Sequence, residues 1–163
     1  MKIRLAAGAL AIVISAAIMP ASAVADSSLD KVTKALSGYH FAGSAESLEK
    51  LAGSREELVT SLLSLRTNDS IPFVAIRAER LLLGYADDPR VGAALGDDLN
   101  STERKGLART VVLHLDSAPA SARQALGRQA IERAARDAEF RPYARALQSS
   151  TDPELRELSR SIK

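Results

Sequence analysis

The chain contains no cysteine and no tryptophan, and only two histidines. Without thiols there is no disulfide, no cysteine nucleophile and no thiolate ligand for zinc. The missing cysteine also excludes a lipid anchor attached to that residue behind an apolar leader. The histidines, His40 and His114, are far apart and form no His-x-x-x-His pair. His114 falls beside the apolar face of an expected helix and reads as structural, while His40 falls in an expected loop. A nucleophile elbow and a phosphate-binding loop are both missing. Ser28-Leu29-Asp30-Lys31 matches the Ser-x-x-Lys signature alone. The Ser-Asp-Asn and Lys-Thr-Gly elements such enzymes also need are not there. The expectation is a protein with no catalytic site and no cofactor.

Aromatic residues make up 4% of the chain and β-branched runs are lacking, whereas Ala, Leu, Arg and Glu are abundant, a balance that favours helix. Beyond the N-terminus no stretch is apolar and long enough to cross a bilayer.

That N-terminus has a distinct layout. Lys2 and Arg4 precede an uncharged, Ala-rich stretch from Leu5 to Met19, Pro20 ends it, and Ala21-Ser22-Ala23 and Ala23-Val24-Ala25 follow. A basic start, an apolar middle and a small-residue exit predict a secretory signal peptide over 1–25, cut after Ala23 or Ala25, with an uncleaved anchor as the alternative. The expected address is the periplasm, or the exterior. Losing Lys2 and Arg4 takes the formal charge from +2 to zero. Residues 26–100 then hold 12 acids and 8 bases, and residues 101–163 hold 8 acids and 12 bases. A neutral chain with a charge gradient argues against nucleic acid as a partner.

Helical period runs through the rest. Leu29, Val32 and Leu36 predict a short N-terminal helix that stops at Gly38, followed by a loop in which Tyr39, His40 and Phe41 tuck against the first hairpin, together spanning 26–44. Over 45–163, Leu48 and Leu51 mark one helix. Ser54-Arg55-Glu56-Glu57 is a capping box opening the next, with Leu58, Leu62 and Leu65 on one face. Pro72 sits in the first turn of a helix whose stripe is Val74, Ala78, Leu81, Leu82 and Tyr85. Ile76 and Leu83 lie on its other side, which predicts packing on two sides. Asp88-Pro89, Pro119, Pro142 and Asp152-Pro153 open further helices. Paired off, they give four hairpins whose second helices begin near Ser54, Pro89, Pro119 and Pro153, a period of 30–35 residues. One hairpin leaves a face uncovered, so stacking is expected to build the core.

Ile76-Arg77 through Leu83-Gly84, followed by Asp88-Pro89-Arg90-Val91 and Leu95, resembles a HEAT repeat, and Asp152-Pro153-Glu154-Leu155-Arg156 resembles a second turn of that kind. The match is best around 76–95, where Arg77 to Gly84 is one residue short of the usual register. The resemblance implies an all-α fold, a short α-α superhelix of about four stacked hairpins, and a protein-binding scaffold without chemistry of its own. Tetratricopeptide-like or irregular α-α stacking has a compatible period.

Two polar groupings remain. Asp97 and Asp98, with Asn100 and Glu103 nearby, cluster oxygen ligands that could grip a hard cation, though without the ligand spacing and glycine of a calcium loop. They carry the alternative reading of a metal-dependent or enzymatic helical domain; a solvated helix end is the simpler one. Between Arg104 and Arg145 stand eight arginines and Lys105 against four acids. Arg123, Arg128, Arg133 and Arg136 share one helix, and Arg141 and Arg145 open the next. Arginine binds carboxylates bidentately and is enriched in interface hot spots, so these six are the candidate contacts for an envelope protein with an acidic surface. A solvated face paired with Glu132, Asp137 and Glu139 is the simpler explanation. Self-association through the Leu155–Ile162 helix is a further expectation.

Overall fold

The computed structural model describes residues 21–38, 44–68 and 70–162, with side-chain burial from Ser28 onward. The basic and apolar start of the expected signal peptide, and Tyr39, His40 and Phe41, lie outside the described residues. Among those described there are helices and turns and no strand.

Helix α1 covers Ala21–Ser37, α2 Ala45–Ala52, α3 Arg55–Leu65, α4 Pro72–Leu82 and α5 Pro89–Asn100. Then come α6 Lys105–Leu113, α7 Ala120–Arg136, the single turn α8 Arg141–Ala144, and α9 Pro153–Ser159. Short 3-10 turns extend α4, α6 and α8 over Leu83–Tyr85, Leu115–Ser117 and Arg145–Ser149. The expected start signals act where the sequence puts them. Ser54 accepts from the Glu57 amide at 3.1 Å, Asp88 from Arg90 at 2.9 Å, and Asp152 from Glu154 and Leu155 at 2.9 and 3.2 Å. These caps satisfy amides that have no partner inside the helix. Gly53 ends α2 at φ 108°, a conformation that only glycine adopts freely, and its amide closes the helix on the Glu49 carbonyl at 2.9 Å.

Helix α1 packs on α2, α3 and α4, α3 also on α4, α4 on α6, α5 on α6 and α7, and α7 on α8 and α9. Of the expected hairpins, α2 lies on α3 and α9 on the turn that extends α8, but the two middle pairings change. Helix α4 packs on α3 and α6 on α5, while α5 and α7 meet their expected partners chiefly through the short turns that extend α4 and α6. One apolar core runs from Val32 and Leu36 through Leu58, Leu62, Leu82 and Leu95 to Leu126 and Leu155. Helix α1 belongs to it. Ser28 donates to the Ala52 carbonyl at 2.6 Å, and Val32 and Leu36 are fully buried. Helix α1 thus packs with α2, α3 and α4 in one core, and its range takes in Ala23 and Ala25.

Two local expectations change. Leu83 is buried, but Ile76 is 44% exposed, so α4 is covered by α1, α3 and α6 and open on its Ile76 side. In the terminal helix Leu155 is fully buried, leaving Leu158 as the exposed large apolar residue there. Leu155 packs so tightly on α7 that a Cβ on Gly127 would stand 2.5 Å from both of its methyl carbons.

Candidate functional site

The six candidate arginines do not form one surface. Arg133 is 6% exposed: its guanidinium donates to the Leu99 carbonyl and to Asp137, with its carbon 4.2 Å from the Phe140 ring centroid. It ties α7 to the end of α5 and is a core residue. Arg123 is half-buried and donates to Thr151 at 2.7 Å, and Arg128 pairs with Glu154, both joining α7 to the start of α9. Arg141 turns back onto the Ala134 carbonyl at 3.1 Å. Arg136 is exposed, holding only its own helix at the Glu132 carbonyl, and Arg145 is exposed with no ion pair or hydrogen bond among the described residues. Arg123, Arg133 and Arg141 thus serve as ties between segments, Arg128 is a tie made at an exposed position, and Arg136 and Arg145 face solvent.

The acidic trio is likewise taken apart. Asp97 and Glu103 are exposed, whereas Asp98, one residue further round the helix, is fully buried. Among the described residues no three histidine, aspartate or glutamate side chains gather as a metal site.

Asp98 belongs instead to a buried polar cluster that the sequence reading missed. Arg66, from the end of α3, donates to one oxygen, and Arg104, ahead of α6, contacts the other. Glu79 of α4 is fully buried beside them, and the carboxyl group it faces is that of Asp98. Burial first, then the charge of Asp98, pushes the Glu79 carboxyl up to about 9, with Arg66 and Arg104 partly offsetting both. At neutral pH Glu79 is therefore a neutral acid, while Asp98 neutralises one of the two arginines. A signal for this existed in the sequence: Glu79 stands four residues after Ala75 and three before Leu82, on the inward face of α4.

His114, the one described histidine, is half-buried where α6 ends. Burial first, then the neighbouring Arg80 charge, holds its imidazole below the usual value. No acid–base pair accompanies it.

A shallow cleft of about 220 Å³ lies between α6 and the α7–α8 corner, lined by Lys105, Gly106, Arg109, Arg133, Asp137, Glu139, Phe140 and Tyr143. Phe140 and Tyr143 meet edge to face with centroids 6.0 Å apart. Arg133 covers one ring and Arg109, at 5.0 Å, the other. Lys105 and Glu139 pair at 2.5 Å at the rim. This arrangement can recognise charge and aromatic edges; it places no nucleophile beside a base.

Compared with protein-family models, curated proteins and solved structures, the chain matches none.

Proposed function

We propose that this protein is an exported, non-catalytic interaction scaffold of the periplasm, built as a HEAT-like superhelix of four hairpins with α1 closing one end. The observation that carries the reading is a ladder of polar ties reaching about one hairpin along the chain. Arg55 meets Asp87 and Arg66 meets Asp98, each 32 residues on; Lys105 meets Glu139, Asp116 meets Ser150, and Arg133 meets the Leu99 carbonyl, each over 34. Such regular ties suit a stack of similar units, whose product is extended surface. The partner is an envelope protein with an acidic surface, met by the solvent-facing arginines Arg128, Arg136 and Arg145 of the C-terminal half.

The test is capture of partners from the native cell envelope with the wild-type protein and with an Arg128→Ala/Arg136→Ala/Arg145→Ala variant. A defined acidic protein retained by the first and lost by the second, at matched melting temperature, supports the reading. Identical retention by both removes these arginines from the interface, and no specific partner for either removes the scaffold.

A further inference from the structure

The side of α4 that the packing leaves open is continuous with α6 and carries a chemistry of its own. Phe73 and Ile76 on α4 and Leu113 on α6 are 48%, 44% and 47% exposed, three of the five large apolar side chains exposed among the described residues. Arg80 of α4 and Arg109 of α6 are exposed beside them, and neither guanidinium has an ion pair among the described residues. Neither helix offers an exposed carboxylate, since α6 contains no acid and the single acid of α4, Glu79, is fully buried. The two helices pack side by side, and the charge of Arg80 is felt at His114, just past Leu113. At the other end of α6 the face reaches the cleft beside Gly106, where a Cβ would meet nothing within 4 Å and where Asp137 and Glu139 mark the acidic limit of the face.

We propose that the α4–α6 face docks an acidic amphipathic helix of a partner protein, its apolar side on Phe73, Ile76 and Leu113 and its carboxylates on Arg80 and Arg109. Charge complementarity selects this occupant. Two helices that offer cations and no exposed carboxylate of their own repel the same face of a second copy, so this is not a self-association surface. Two unpaired cations contribute only about 2 kcal/mol toward an anionic membrane surface, too little to hold the protein there. Arginine forks instead match carboxylates bidentately, and a face two helices wide suits a helix laid along it. This surface is separate from Arg128 and Arg136 on α7, so either docking site can fail while the other stands.

The experiment titrates the full chain into a fluorescent synthetic peptide of about 18 residues, five helical turns, with leucines at i, i+3 and i+4 and glutamates flanking them. Its companions are the same peptide with lysine for glutamate, and phosphatidylglycerol vesicles. The expected result is saturable binding of the glutamate peptide, weakened at least about tenfold by Arg80→Glu/Arg109→Glu and by the lysine peptide, and unchanged by Arg128→Glu/Arg136→Glu. Ile76→Ser should also weaken binding, while circular dichroism confirms intact helices in every variant. Absent binding, equal binding by the Arg80/Arg109 variant, or a preference for vesicles overturns the proposal. Loss through Arg128→Glu/Arg136→Glu alone also overturns it, while leaving the scaffold reading in place.

Discussion

Arg66, at the end of α3, donates to the fully buried carboxylate of Asp98 on α5, 32 residues further along the chain. Arg104 approaches the second oxygen of the same carboxylate, so one aspartate holds guanidinium groups brought in from two other segments.

Removing that aspartate leaves Arg66, whose side chain is 12% exposed, without its counter-charge. Asp98→Ala should therefore cost about 3–5 kcal/mol of stability, the range for breaking a buried pair from one side. Asp97→Ala, at an exposed position on the same helix, should change stability by no more than about 0.5 kcal/mol. Urea unfolding of the two variants measures the contrast.

Glu79 gives the fold a pH dependence of definite sign. Its carboxyl is raised from 4.5 to about 9 in the folded protein, so the folded state binds a proton that the unfolded chain has lost. That contribution is fully present below the unfolded value and is lost as pH rises through the folded one. Between those two values stability should fall with a slope approaching about 1.4 kcal/mol per pH unit. Glu79→Gln, which keeps the shape without the proton, should flatten that slope and be more stable than wild type at pH 9. Unfolding curves from pH 5 to 9 would show it; an unchanged slope would mean that Glu79 is ionised in the fold.

Arg133 and Arg136 lie on the same helix and should behave as opposites. Arg133→Ala removes a buried guanidinium from the Leu99 carbonyl, from Asp137 and from the Phe140 ring, and should cost about 2–4 kcal/mol. Arg136→Ala removes an exposed side chain and should stay within about 0.5 kcal/mol of wild type. Thermal unfolding separates the two.

Much of this fold was legible in the sequence because helix boundaries depend on local chemistry. Ser54, Asp88 and Asp152 cap helices, and Pro72, Pro89 and Pro153 open them, since a cap needs only a side-chain oxygen within three residues of a free amide. What lies between helices was less legible. Arg123 and Arg133 look like surface charge in sequence, because the Thr151 hydroxyl and the Leu99 carbonyl that hold them come from other segments. Asp97 and Asp98 are adjacent in sequence, yet a 100° step around the helix puts one in solvent and one in the core. Glu79 sat in plain view on an apolar stripe, but its counterparts, Arg66, Asp98 and Arg104, converge on it only once α3, α4 and α5 are packed. Ile76 misled for the reverse reason: an apolar residue on a second side does not say whether a neighbour covers it.

The close approach of α7 to α9 rests on Gly127. A methyl there would meet the Leu155 side chain, which has no room to retreat in a fully buried site. Gly127→Ala should cost about 1–3 kcal/mol despite the better helix propensity of alanine, and Leu155→Val should recover part of the loss in the double variant. Independent, additive effects in a double-mutant cycle would refute the contact.

The central claim is that this molecule acts by holding a partner, and position-specific photocrosslinking in living cells tests it most directly. A photoreactive amino acid at Arg136, on the arginine-bearing surface, should give one discrete adduct with an acidic envelope protein, while one at Ala93, exposed on α5, should give none. No adduct from position 136, or the same adducts from both positions, would contradict the account.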